Sequence, residues 1–196
     1  MGLPVWVNSR WGRYVLHHVF NLSVFRKPFV MPATLTEQQE RWHKIVREPA
    51  LQDLPYKVET NERGQLVLSP NKNRHSDRQT QLFLLLQQHA PEGHISVEYA
   101  LVTPKGVKAP DVVWMSPGRK REMEATGDPS TLAPEICVEV MSASNTEAEM
   151  QEKRVLYREI GAEEVWIVDE DGYIWFFGEE ELERSEIAPD CPDQLD

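Results

Sequence analysis

Apolar and polar positions recur along this chain with two different periods. Trp42, Ile45 and Val46 fall at helical spacing, and Thr36 with Gln39 forms a capping-box pattern, so a helix is predicted from near Thr36. Tyr56-Lys57-Val58-Glu59 and Gln65-Leu66-Val67-Leu68 read as short strands about the turn Asn61-Glu62-Arg63-Gly64, with Ser69-Pro70 ending the second. Between Ser76 and His89 the run Leu82-Phe83-Leu84-Leu85-Leu86 marks a buried helix. Period-two alternation returns at Ile95-Ser96-Val97-Glu98-Tyr99-Ala100-Leu101, with Glu98 on the polar face. Asp111-Val112-Val113-Trp114-Met115 is a further strand, followed by a turn at Ser116-Pro117-Gly118 and a loop from Pro129 to Pro134. Glu135-Ile136-Cys137-Val138-Glu139-Val140-Met141 is nearly apolar on both faces, which places it centrally in a sheet. A helix from about Thr146 to Ile160, closed by Gly161, leads to the strands Glu164-Val168 and Tyr173-Phe177. Helices interleaved with strands in this way predict an α/β (α+β) fold, a mixed sheet covered on both faces.

Composition narrows the class. With 196 residues, 40% of them hydrophobic, the chain can bury one core, which excludes a disordered or fibrous protein. The 21 basic and 32 acidic side chains leave a net charge of -11, which opposes nonspecific binding to nucleic acid. The charge is uneven. No acidic residue precedes Glu37, whereas Arg10, Arg13, Arg26 and Lys27 are basic, so the chain from Glu37 onward carries -15. Three regions are expected: a basic, aromatic-rich segment 1–35, a domain 36–178, and an acidic tail 179–196 that frays. The basic segment is open to several readings: an extension or translated upstream sequence with Met31 as the start, an organelle transit peptide, or a DNA-contacting arm. Cys137 and Cys191 form neither a disulfide framework nor a zinc ligand set, and a cytoplasmic location is expected by default. No apolar run is long enough to span a bilayer, so no membrane partner is expected.

Two acids occupy positions that acids avoid. Glu139 interrupts the central strand, where an uncompensated carboxylate costs several kcal/mol. Asp111 opens another apolar strand directly after Pro110. Singly, a strand-start aspartate and a buried ion pair, for example to Lys153, account for them. On neighbouring strands the two carboxylates could converge on one hard divalent cation, and Mg²⁺ takes one or two carboxylates plus water and phosphate.

The same residues carry a resemblance. Pro110-Asp111, then Val138-Glu139-Val140-Met141-Ser142-Ala143-Ser144-Asn145-Thr146, then Lys153 before Leu156-Tyr157, and Gly161-Ala162-Glu163-Glu164-Val165-Trp166-Ile167-Val168-Asp169 together resemble the Uma2 (DUF820) family. Gly64-Gln65-Leu66-Val67-Leu68-Ser69-Pro70 followed by His75 is similar to its upstream segment. Ala143 stands where the family has proline, and Glu149 where it usually has aspartate. The resemblance runs from about Tyr56 to Phe177 and implies a restriction-endonuclease-like fold of the PD-(D/E)XK superfamily. It implies metal-assisted phosphodiester hydrolysis on DNA. Asp111, Glu139 and the Val140 carbonyl would hold Mg²⁺ or Mn²⁺, and Lys153 would take the place of the superfamily's strand lysine, a position held here by Met141. Glu59 and His75 are further candidates, each with an alternative as an exposed residue. A homodimer is expected from the resemblance and from the apolar strand Tyr173-Ile174-Trp175-Phe176-Phe177, which could equally be buried within the chain. A binding or regulatory module that keeps the fold without turnover is the alternative function.

Overall fold

The computed structural model describes residues 33–51, 55–70, 73–142 and 145–195. The readings of the basic segment fall almost wholly on residues 1–32, outside the described residues.

Helix α1, Leu35–Ile45, is capped by Thr34 and Glu37, two residues before the expected pair. The Thr34 hydroxyl accepts from the Glu37 N–H, and the Glu37 carboxylate accepts from the Thr34 N–H at 2.7 Å. A carboxylate returns a stronger bond than the Gln39 amide would, and Gln39 donates instead to the carbonyls of Thr126 and Pro129. After a 3₁₀ turn, Pro49–Leu51, comes the antiparallel hairpin of β1, Tyr56–Thr60, and β2, Leu66–Pro70. Asn61 closes its turn by accepting from the N–H groups of Arg63 and Gln65.

Helix α2 spans Asn73–His89. The strand expected over Ile95–Leu101 is two: β3, His94–Val97, and β4, Leu101–Thr103, lie in different sheets. The chain breaks at exposed Glu98, whose φ of 48° lies outside strand geometry. β4 pairs with β5, Gly106–Lys108, in a second hairpin, against which Trp42 of α1 packs through Val102 and Val107. Next come β6, Val112–Met115, and α3, Pro117–Thr126. Ser116-Pro117-Gly118 is thus a helix start and not a turn. Ser116 is the N-cap and Pro117 sits in the first turn, where its missing N–H costs nothing.

The remaining elements are β7, Ile136–Val140; α4, Glu147–Glu159; β8, Glu164–Val168; β9, Ile174–Phe177; and β10, Glu181–Leu182. The main sheet has the order β10-β9-β8-β7-β6-β3, with β7 and β8 parallel and every other pair antiparallel. The crossover through α4 is what a parallel pair requires. Alternate residues feed two cores, as the strand period dictates. Val112, Trp114, Ile136, Val138, Trp166 and Phe176 meet Leu82 and Leu86 of α2. Val113, Met115, Cys137, Val165, Ile167 and Phe177 meet Met123 of α3 and Met150 and Tyr157 of α4. The fold is therefore a mixed sheet with helices on both faces, as the sequence predicts.

The C-terminal segment does not fray. Ala188, Cys191 and Leu195 are buried in the α2-side core, and buried Glu164 accepts from the Ser185 hydroxyl and the N–H groups of Glu186 and Ile187. β9 lies between β8 and β10 with Ile174, Phe176 and Phe177 buried, so its apolar residues are used within the chain. Among the described residues, no helix is long and apolar enough to cross a membrane.

Candidate active site

The register of β6 on β7 brings the two anomalous acids together. Val112 lies opposite Val138, so Asp111, one residue before β6, comes opposite Glu139. The Asp111 N–H donates to the Val138 carbonyl at 2.9 Å, extending the ladder by one step. Residues opposite one another in a sheet share a face. Here that face is the one covered by α4, where Cys137 and Tyr157 also point.

Asp111 is 1% exposed and Glu139 2%. Such burial is tolerable only with partners, and both have them. Asp111 Oδ2 accepts from the Val140 N–H at 2.7 Å. Its Oδ1 meets Lys57 Nζ at 2.6 Å and His75 Nε2 at 3.1 Å. Glu139 accepts from Lys153 Nζ at 3.0 and 3.1 Å and from the Tyr157 hydroxyl at 2.5 Å. Glu59, on the inward face of β1, accepts from Lys153 Nζ at 2.9 Å and from the Ala109 N–H at 3.1 Å.

Lys153 points inward because α4 orients it so. Thr146 and Glu149 form the N-terminal capping box, and Glu152 pairs with Lys105 on the surface. Neither neighbouring acid is left to draw Lys153 outward. Met150, Lys153 and Tyr157 follow the helix stripe that faces the sheet. All five expected side chains, Asp111, Glu139, Lys153, Glu59 and His75, thus line one cleft, together with Ser69, Pro70, Val140 and Asn145. Its free space is about 50 Å³, room for a few water-sized groups. Glu98 stays outside it, exposed.

Two further residues belong to the cluster. Lys57, 7% exposed, reaches Asp111 and also stands 3.5 Å from Glu139. Its one signal in the sequence is the strand period: Lys57 and Glu59 lie two residues apart and share the inward face of β1. Tyr157 lies one turn beyond Lys153, and only the burial of its hydroxyl on Glu139 marks it.

The electrostatics follow from this packing. Burial works to raise the Asp111 pKa, but Lys57 and His75 outweigh it and hold the carboxyl below the usual carboxylate range. Burial likewise opposes ionisation of Glu59, which Lys153, Lys57 and Lys108 hold low. Glu139 goes the other way: burial dominates, and repulsion from Asp111 and Glu59 adds to it, so its pKa is raised despite Lys153 and Lys57. Burial disfavours the charged ammonium of Lys57, yet Asp111, Glu139 and Glu59 raise its pKa. The hydrogen bond to Asp111 raises His75. Three carboxylates thus face three ammonium groups, those of Lys57, Lys153 and, 3.9 Å from Glu59, Lys108.

The donor set suits a hard divalent cation. Asp111 and Glu139 offer carboxylate oxygens on one face. A strand residue projects its N–H and C=O to the same edge, so the Val140 carbonyl faces the Asp111 side as well. Among the described residues, however, no three histidine, cysteine, aspartate or glutamate side chains gather in metal-binding geometry. The ammonium of Lys57 stands between the two carboxylates instead.

Comparison with known proteins bears on the family and the fold. The Uma2 family model, described as "Putative restriction endonuclease", matches residues 46–192. A crystal structure from Anabaena variabilis, described as a "putative nuclease belonging to DUF820", superposes with a TM-score of 0.51 at 14% identity. The match covers 64% of this chain and 74% of that one, and it shows a shared fold. No curated protein matches the chain.

Proposed function

The chain belongs to the Uma2 family, and from that premise we propose that it is a Mg²⁺- or Mn²⁺-dependent endonuclease that hydrolyses phosphodiester bonds in DNA. The observation that carries the reading is the meeting of Asp111, Glu139 and Lys153 in one buried cleft. A cation held by Asp111, Glu139 and the Val140 carbonyl would supply a water of lowered pKa and a counter-charge for phosphate oxygens. The chain's own groups do the rest. Lys153, anchored by Glu59 and Glu139, lines the same cleft and would offset charge that develops on the phosphoryl oxygens. Lys57 and His75 keep Asp111 ionised, the Val140 N–H orients it, and Tyr157 fixes Glu139. His75, at the start of α2, bonds Asp111 from the cleft mouth and is placed to meet a phosphate.

Calorimetry with Mn²⁺ and cleavage of plasmid, single-stranded and branched DNA test the proposal together. Asp111→Asn and Glu139→Gln are expected to lose metal binding and to lower cleavage by at least ~10²-fold. Lys153→Met is expected to keep the metal and lose cleavage. A parent protein that neither binds Mn²⁺ nor cuts any of these substrates removes the reading.

A second reading, a binding module without turnover, has one observation in its favour. The three acids of the cluster already have cationic partners in Lys57, Lys153 and Lys108. In that case the parent leaves every substrate intact.

A further inference from the structure

Lys57 raises a question that the nuclease reading leaves open. Its ammonium lies 2.6 Å from Asp111, 3.5 Å from Glu139 and 4.0 Å from Glu59. Those distances make it, among the described residues, the one cation within 4.0 Å of all three acids. Lys153 reaches Glu139 and Glu59 within hydrogen-bond distance, and Lys108 reaches Glu59. Lys57 therefore occupies the gap that a divalent cation bridging Asp111 and Glu139 would need. Two cations cannot share it, because like charges a few ångströms apart in a buried site repel strongly.

We propose that Lys57 is the resident cation of this site, that it competes with the divalent metal, and that metal binding requires its ammonium to swing out of the gap between Asp111 and Glu139. The inference rests on the metal-site reading above. It makes Lys57 a positioning residue: it offsets the repulsion between the two carboxylates, and it sets how tightly the site takes metal. The β1 strand that carries it belongs to the two-stranded β1–β2 hairpin, outside the main sheet, and β2 is exposed along its whole length. The side chain can thus leave without disturbing the β6–β7 register that holds Asp111 opposite Glu139.

The test uses the full-length protein and Mn²⁺ as probe. By calorimetry, Lys57→Gln is expected to bind Mn²⁺ at least tenfold more tightly than the parent, and Lys57→Arg, which keeps the charge, no more tightly. Without metal Lys57→Gln is expected to melt below the parent, and Mn²⁺ is expected to raise its melting temperature more than the parent's. A measurement on the parent alone guards against a variant that does not fold. Amine acetylation read by peptide mass spectrometry should find Lys57 protected without metal and labelled with it, while exposed Lys105 reacts equally in both. Equal Mn²⁺ affinity in the parent and Lys57→Gln, or Lys57 protection unchanged at saturating metal, overturns the competition and leaves the metal site standing. Absence of Mn²⁺ binding in both proteins overturns the metal site itself, and the competition with it.

Discussion

Glu139 condenses the problem this site solves. It is a carboxylate at the fourth position of a five-residue strand buried along its whole length, with a pKa raised chiefly by burial. Its ionised form persists only as far as Lys153, Lys57 and the Tyr157 hydroxyl support it. A hydrogen bond to a charged acceptor contributes about 1.5–3 kcal/mol, so Tyr157→Phe is expected to lower stability by about that much. The urea midpoint should fall with the slope unchanged. A variant with the parent's midpoint would mean that Glu139 is protonated or finds another donor. The acids of this cluster were legible in the sequence because a carboxylate inside an apolar strand is an anomaly. Lys57 was not, because a lysine in a short strand next to a polar turn is ordinary. Only its pairing with Glu59 on the same strand face distinguishes it, and that signal gains weight once the acids it serves are in place. Tyr157 was hidden for the opposite reason: an aromatic on the apolar stripe of a helix reads as core, which it also is.

Elements, more than residues, decided what the sequence could reveal. Strands β7 and β8 and helix α4 carry long, unambiguous patterns and lie where expected. The sequence of helix α3 reads as a turn because the helix buries Met123 alone and its start is Ser-Pro-Gly. The split between β3 and β4 was invisible because alternation continues across Glu98 while the backbone turns. The C-terminal segment reads as a frayed tail because it is acidic, and its apolar residues, Ile187, Ala188, Cys191 and Leu195, follow no period that would correct that reading. What holds it is a set of bonds to Glu164 at the start of β8, which accepts from Trp166 Nε1, Ser185 Oγ and two backbone N–H groups, all within 2.9 Å. Replacing that carboxylate leaves buried donors unpaired. Glu164→Ala is therefore expected to release the segment, and Cys191 reports it. Burial, with Glu164 adding, pushes the Cys191 thiol up to about 12, so in the parent it should react slowly with iodoacetamide at pH 8. The variant should react at least tenfold faster at Cys191, while Cys137, sealed between β6, β8 and α4, stays unlabelled. Unchanged Cys191 reactivity would show that apolar packing alone anchors the segment.

At the scale of the molecule, the charge of -11 no longer weighs simply against a DNA substrate. The acids that make the site contribute nothing to it, because three carboxylates there face three lysines. The excess lies elsewhere on the chain and repels phosphates approaching in most orientations. A cationic contact is offered at the cleft mouth, where Arg74, His75 and Arg78 of α2 line the wall beside Val140 and Ser142. Even there the two guanidinium groups already donate to the carbonyl of Glu170, and Arg78 to that of Asp169. A duplex held through this face alone would neutralise few of its phosphates. Counterion release gives a slope of about -0.9 per phosphate contact in log K against log salt. For two or three contacts, binding of a short duplex by the Glu139→Gln variant should show a slope of about -2 to -3 between 50 and 200 mM salt, read by fluorescence anisotropy. Arg78→Gln should make the slope shallower by about one. A slope steeper than about -6 would require more cations than this face holds, and it would direct attention to the basic residues Arg10, Arg13, Arg26 and Lys27 as the source of the remaining contacts. Removing residues 1–32 should then return the slope to the shallow value.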